Sequence, residues 1–415
     1  MQIKTNIIAW NYIAFLFLGI SGISINLIIS FFYEPTTLGI FNQTIAVYII
    51  FSMLGSGGIN YSVLRSIASS KEKEIVEIII GALIPNIILS FLSSLLLSYL
   101  AIPISKLLES PFLEKSIYFI IPGVFFFSIN KVYLAIINGF NQIKKFSLFN
   151  IIRYLLILLN LFLVSLNNLE GFKLSIIFSI SELILFIILT YEIKSNFKVF
   201  CIKKIIKWIR IHTIFGFKSI SSGMLIELNS KVDILFIGYF LSDDFVGIYS
   251  FAALFAEGFY QLLASLQNIY NPILAKAISK NLRKKLEFII NHDKYRIYII
   301  FTVITIISLV LYKFSINNLI ILDLYISSFE VFLILMSSLI VTSGYIPFMN
   351  IFAMGDKPLW QNIFTTVYVS LNILLNYLLI PIFNINGAAL ATSISTIISI
   401  IILKIFSKKL FRITI

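Results

Sequence analysis

The stretch Phe215-Gly-Phe-Lys-Ser-Ile-Ser-Ser-Gly-Met-Leu-Ile-Glu-Leu-Asn-Ser-Lys-Val-Asp-Ile-Leu-Phe-Ile-Gly-Tyr-Phe240 decides how this chain reads. It is long and apolar enough to cross a bilayer as a helix, yet it carries Lys218, Glu227, Lys231 and Asp233. Charges at membrane depth cost about a few kcal/mol each, so they face protein or a water-filled cavity. On one continuous helix, Lys218, Ser222, Asn229 and Asp233 share a face within about 60°. Glu227 and Lys231 fall on another side at i and i+4, where they can pair. Two readings are open: a self-neutralised helix buried in a bundle, or a helix lining a hydrophilic path.

Outward from this stretch the same apolar character continues. The chain has 415 residues, 59% hydrophobic and 12% charged, with a mean hydropathy of +0.99. That excludes an ordinary soluble globular protein. Twelve apolar runs are long enough to span a bilayer: 10–33, 38–63, 75–102, 116–140, 148–166, 174–193, 215–241, 246–270, 295–312, 329–354, 361–380 and 387–406. The expected fold is an all-α integral membrane protein, with twelve transmembrane helices in two six-helix lobes. The lobes are residues 1–193 and 214–415, joined by a connector at 194–213. The first run, beginning near Trp10, reads as an uncleaved helix rather than a signal peptide.

Charge placement gives the orientation. With both ends cytoplasmic, 26 of the 32 Lys and Arg fall on one side and only Lys106, Lys115, Lys173 and Lys313 on the other. Lys131 and Lys231 lie within spans. Cytoplasmic loops collect Lys and Arg, so both termini are placed in the cytoplasm. The net charge of +13 is then membrane topology and does not call for nucleic acid. The connector, with Lys194, Lys198, Lys203, Lys204, Lys207, Trp208 and Arg210 among apolar residues, reads as an amphipathic helix against anionic lipids. The single cysteine, Cys201, excludes an intramolecular disulfide, and His212 and His292 show no metal-ligand spacing. No cofactor or metal is expected.

The halves repeat. Tyr33-Glu-Pro-Thr-Thr-Leu-Gly39-Ile-Phe41 matches Phe240-Leu-Ser-Asp-Asp-Phe-Val-Gly247-Ile-Tyr249. Asn150 and Asn160 are spaced like Asn362 and Asn372, Pro122 has a counterpart in Pro347, and Gly171 one in Gly387. An even number of spans per half implies a pseudo-twofold axis along the membrane normal, with a cavity expected between halves.

No phosphate-binding loop, nucleophile elbow or zinc-protease motif occurs, so no enzyme is indicated. What recurs is polar residues inside apolar helices: Ser128, Lys131 and Asn138; Ser250, Glu257, Gln261 and Asn268; Thr365, Asn372 and Asn376. Such residues either bond a neighbouring helix or line a cavity. Lys131 has no acid within a helical turn, which points to a cavity able to hold an anion. The run Gly55-Ser-Gly-Gly58 implies close packing or a bend.

Several motifs together resemble the multidrug/oligosaccharidyl-lipid/polysaccharide exporter superfamily, and within it the Wzx-like flippases of O-antigen and capsule repeat units. They are Leu38-Gly39-Ile-Phe41, Gly57-Gly-Ile-Asn-Tyr-Ser-Val-Leu-Arg65, Lys231-Val-Asp233-Ile-Leu-Phe-Ile-Gly238, Val246-Gly-Ile-Tyr-Ser-Phe-Ala252 and Asn386-Gly387-Ala-Ala-Leu-Ala-Thr392. The resemblance implies an inner-membrane transporter that flips an undecaprenyl-diphosphate-linked oligosaccharide by alternating access. Lys131, Lys231, Lys218, Arg65 and Arg153 would then hold the diphosphate or acidic sugars. Asp233, Glu257 and Glu227 would couple an ion or balance charge. Family members often have Arg where Lys231 stands, so the charge is kept here without a guanidinium's bidentate geometry. Implied partners are the lipid-linked oligosaccharide, anionic lipids, a polysaccharide polymerase and a chain-length regulator. The rival readings are a cation-coupled multidrug exporter of the same superfamily and, further off, an O-antigen polymerase.

Overall fold

The structure, a computed structural model, describes residues 5–69, 74–167, 169–194, 201–280 and 282–413, and all regular structure in them is helical. The chain divides into two compact units, Met1–Leu228 and Asn229–Ile415.

The first unit contains α1 (Thr5–Phe32), α2 (Pro35–Ser56), α3 (Ile59–Ser69), α4 (Ile75–Leu107), α5 (Pro111–Gly139), α6 (Ile143–Leu166), α7 (Ile176–Lys194) and α8 (Ile202–Asn229). Proline opens α2 and α5, where its fixed φ suits a first turn and its missing N–H leaves no bond unmade. Helix α5 is the hub and packs on α2, α3, α4 and α7, while α1 packs on α6. Small polar residues set the α2–α4–α5 spacing. Asn86 Nδ2 and Ser90 Oγ donate to the Gly55 carbonyl at 3.2 and 3.3 Å, and Ser128 Oγ donates to that of Ser52 at 3.2 Å. Lipid supplies no hydrophobic drive between helices, so close backbones and such bonds do the joining.

Two spans differ from the straight helices expected. Helix α2 stops at Ser56, because Gly57 and Gly58 take left-handed φ of 54° and 67° before α3 begins. Glycine adopts that conformation without steric cost. The backbone of Gly216 on α8 lies directly against these two glycines, in space that any side chain would fill. The second difference concerns the connector and the stretch from Phe215. Residues 202–229 form one helix, α8, which ends before Ser230; the next helix starts at Val232, with Lys231 as its N-cap. A single rigid helix over 215–240 is therefore corrected, and so is the i,i+4 placement of Glu227 and Lys231 that depended on it.

The buried edge of α8 runs through Ile205, His212 and Gly216, with Trp208 half-buried; Ile202, Lys203, Ile206, Lys207 and Arg210 are exposed. His212 joins three helices. Its Nε2 donates to the Ile78 carbonyl at 3.2 Å, which leaves Nδ1 to accept from Ser62 Oγ at 2.8 Å. Burial holds this imidazole neutral, with its pKa lowered to about 4 despite the opposing pull of the Ile78 carbonyl.

The second unit contains α9 (Val232–Phe240), α10 (Asp243–Ser265), α11 (Gln267–Ser279), α12 (Arg283–Asn318), α13 (Ser328–Thr342), α14 (Ile351–Met354) and α15 (Pro358–Phe411). Its core includes Tyr312 stacked on Phe332 at 4.2 Å and Phe251 tilted against Tyr325 at 4.5 Å. Helix α15, at 54 residues, would be about 81 Å long if straight. It is two helices: Asn384 breaks it with φ 51° and ψ −137°, and Gly387 returns against the backbone of Leu379.

By length and apolarity, eight described helices can cross a membrane, or nine if Ser328–Thr342 and Ile346–Met354, bent by 59°, count as one span. The chain is a multi-pass membrane protein. That count falls short of twelve partly because the break at Asn384 divides one of the eight, and because α8 and α9 meet at a break instead of forming one long helix.

Candidate functional site

Each unit holds a buried polar centre. In the first, Arg153 of α6 reaches Glu182 of α7, with Nε 2.8 Å from Oε1 and an N–H donated to Oε2 at 3.3 Å. Asn130 of α5 donates to the same Oε2 at 2.8 Å. Glu182 and Arg153 are both buried, and a buried ion pair tolerates no missing partner. The Arg153 guanidinium also lies over the Phe127 ring at 4.7 Å. One helical turn along α5, Lys131 approaches the same ring at 6.0 Å and places Nζ 2.6 Å from the Met53 sulfur. Among the described residues Lys131 belongs to no ion pair, whereas Arg153 does. The acidic charge that reaches Lys131 is that of Glu227, which also acts on Tyr61 and Tyr154. The result is a half-buried ammonium walled by an aromatic ring and a thioether, with one matched cation beside it. Such a site attracts an anion, because its own hydration is already reduced and its direct neighbours are soft and apolar.

The centre of the second unit has the opposite sign. Asp233 at the start of α9 accepts hydrogen bonds from Tyr249 (2.5 Å) and Thr392 (2.7 Å) on Oδ2 and from Asn376 (2.9 Å) on Oδ1. Asn376 also donates to Asn372 Oδ1 at 3.0 Å, and Asn372 donates to Asn229 Oδ1 at 3.2 Å. Every direct partner of this carboxylate is neutral, and no described ion pair includes it. Asn376 Oδ1 is buried and has no hydrogen-bond partner among the described residues. One carboxylate with amide and hydroxyl oxygens around it is a donor set for a hard cation or a proton. No cluster of three His, Cys, Asp or Glu exists among the described residues, so a transition-metal site is not what this set offers. Glu257, half-buried on α10, acts electrostatically on Tyr249 and Tyr260.

The residues singled out from sequence thus separate. Lys131 and Arg153 meet at Phe127, with Glu227 in electrostatic reach of Lys131. Arg65 lies elsewhere in that unit, over Phe215 at 5.4 Å, and Lys218 lines a cavity of about 300 Å³ with Arg210, Ile211, Ile214 and Phe215. Asp233 and Asn229 do share one network, while Lys231 caps α9. The side chains of Ser222 and Asn268 lie outside the described residues. Sequence reasoning missed Glu182 as the partner of Arg153, and Tyr249 and Thr392 as donors to Asp233. Tyr249 stands in the repeated Gly247-Ile-Tyr249, and Thr392 in the motif Asn386-Gly387-Ala-Ala-Leu-Ala-Thr392 that carries the resemblance, so the signal lay in motifs rather than in helical phase.

The family model described as polysaccharide biosynthesis protein matches residues 8–278. Among solved structures, the chain is similar to the lipid II flippase MurJ in an inward closed conformation. The identity is 18% and the TM-score 0.79, over 97% of this chain and 87% of that one. It is also similar to a multidrug resistance MATE family transporter of the MOP superfamily in an inward-facing conformation, at 13% identity and TM-score 0.68, covering 96% and 94%. A third is the Vibrio cholerae MATE transporter VcmN in its bent form, at 13% identity and TM-score 0.64, covering 98% and 96%. No curated protein matches the chain. At these identities the likenesses establish a shared fold.

Proposed function

We propose, from the fact that this chain belongs to the polysaccharide biosynthesis protein family, that it is a flippase for an undecaprenyl-diphosphate-linked oligosaccharide. The repeat unit would belong to an O-antigen or a capsule, and translocation across the inner membrane would proceed by alternating access. The observation that carries this reading is Lys131: a half-buried ammonium beside Phe127 and Met53 with no ion pair among the described residues. A diphosphate supplies the missing negative charge, and in a partly desolvated site that attraction far exceeds its value in water. Glu227, whose charge reaches Lys131, would balance the ammonium when no substrate is present, so substrate and Glu227 compete for one cation. Arg153, matched by Glu182, holds Phe127 in place beside Lys131. Lys231, Lys218 and Arg65 are secondary contacts in this scheme, and Glu257 a charge-balancing one.

The coupling step belongs to the Asp233 network. A Na⁺ or H⁺ bound there neutralises a half-buried charge that no ion pair among the described residues matches, and favours the conformation that holds it. A ligand moves such an equilibrium only through its differential affinity for the two states. Both termini would face the cytoplasm, and the partners in the same assembly would be a polysaccharide polymerase and a chain-length regulator. The chain itself performs no bond chemistry.

A cation-coupled drug exporter is the second reading, favoured by the MATE-like fold. Such exporters usually rely on a carboxylate in the first helix, and α1 carries none. Replacing Lys131 tests the choice. Lys131→Ala should abolish surface polysaccharide at matched protein level, and Lys131→Arg should retain part of it. Normal polysaccharide with Lys131→Ala would end the proposal.

A further inference from the structure

The second unit carries a set of positive charges that the flippase reading does not use. Lys294 of α12 and Lys404 of α15 both approach the ring of Tyr345, with their ammoniums 5.2 and 4.5 Å from its centroid. The two ammoniums therefore stand within about 10 Å of each other, inside the Debye length at ordinary salt, where their repulsion is not screened away. Neither lysine joins an ion pair among the described residues. The side-chain hydrogen bonds of Lys294 go to neutral groups, Asn291 Oδ1 at 2.9 Å and the Tyr345 hydroxyl, and Lys404 also donates to that hydroxyl.

The arrangement is held from below. Tyr345 is buried and lies in the bend between α13 and α14, with the Tyr298 ring edge-on to it at 6.1 Å. Tyr298 is fixed in turn by donating its hydroxyl to the Val341 carbonyl at 2.9 Å. Gly344 leaves the space through which the Lys294 stem and the Tyr298 ring pass, and a methyl group there would collide with both. An aromatic ring stabilises one nearby ammonium by about 0.5–1 kcal/mol at an exposed site. It does not neutralise two. What is left is a pair of convergent donors, one half-buried and one exposed, with net positive charge and, among the described residues, no carboxylate paired with either.

We propose that Lys294, Lys404 and Tyr345 form an anion site for a phosphate group, separate from the Lys131 centre. Ammonium groups are strong charge-assisted donors to phosphate oxygens, and two of them on different helices can take two oxygens of one group. The site lies in Asn229–Ile415, and it stands on its own geometry whether or not Lys131 meets a transported substrate. Phosphate can reach it from two sources, the headgroup of an anionic lipid or a free diphosphate.

The test uses the full chain in nanodiscs. One arm adds inorganic diphosphate to protein in phosphatidylcholine; the other compares phosphatidylcholine with a mixture containing phosphatidylglycerol. Thermal stability and affinity are read for wild type, for Lys294→Gln with Lys404→Gln, and for a control pair of exposed lysines outside the connector, Lys106→Gln with Lys313→Gln. At least one arm should stabilise the wild type and the control pair, and the Lys294/Lys404 variant should bind about tenfold or more weakly. Stabilisation by diphosphate assigns a soluble source; stabilisation by phosphatidylglycerol alone assigns a lipid headgroup. If the double variant does not fold, Lys404→Gln, whose side chain is exposed, carries the same comparison. No stabilisation in either arm, or stabilisation that survives loss of the lysines, overturns the site.

Discussion

The two units bury charge in opposite ways. In the first, Glu182 is answered by Arg153, and the remaining cation, Lys131, stands beside a soft apolar wall. In the second, Asp233 is answered by a tyrosine, a threonine and an amide, none of them charged. A carboxylate with a matched cation is a packing element, because neither partner can leave without exposing the other's buried charge. A carboxylate held only by neutral dipoles can exchange its counter-charge with solvent. The contrast separates what holds the fold from what responds to a ligand, and under the proposed function it places the transported anion at Lys131 and the cation or proton at Asp233.

The largest expected effect breaks the matched pair. Glu182→Gln leaves Arg153 buried without its counter-charge, and the loss should be about 3–5 kcal/mol, read by denaturation of the purified protein. Replacing both partners by apolar residues, Glu182→Leu with Arg153→Met, should recover most of it. A stable single variant would mean that water already reaches this pair. Next comes Asp233→Asn, which keeps shape and removes charge. Transport should fall about ten- to a hundredfold, the range of a typical coupling energy, while thermal stability stays at or above that of wild type. A large loss of stability instead would make Asp233 a packing residue like Glu182, and the contrast between the units would disappear.

The smallest effect concerns His212, buried neutral between Ser62 and Ile78. Its folded pKa of about 4 lies below the ordinary 6.5, so stability is full above pH 6.5 and falls as the unfolded state takes up a proton. From pH 6.5 to 5 the attachment of α8 should weaken by about 2 kcal/mol. Hydrogen exchange in 205–219 measures this, and His212→Gln should flatten the pH dependence. Exchange that is unchanged with pH in wild type would place a charged imidazole or open water at this junction.

Much of this was legible in the residues themselves. Lys131 stood out because no acid lies within a turn of it, a local property that any helix preserves. Of the polar face Lys218, Ser222, Asn229 and Asp233, only Asn229 and Asp233 are joined among the described residues, through Asn372 and Asn376, while Lys218 lines a different cavity. What failed was continuity. Helical phase was carried through Ser230 and Lys231, where the backbone leaves the helix, so the pairing of Glu227 with Lys231 lost its premise. The break at Gly57–Gly58 was foreshadowed by the glycine run, whereas nothing local marks 230–231. Partners from distant helices, such as Glu182 for Arg153 and Thr392 for Asp233, depend on tertiary packing that periodicity does not encode.

The most direct test reconstitutes the chain in liposomes with a fluorescent undecaprenyl-diphosphate oligosaccharide and follows its movement between leaflets under imposed Na⁺ or H⁺ gradients. The account predicts translocation by wild type that one gradient accelerates. It further predicts that Lys131→Ala abolishes movement under every condition, and that Asp233→Asn retains slow movement that no gradient changes. Translocation that is equally fast with both variants, or none by wild type while a cationic drug is exported, would contradict it.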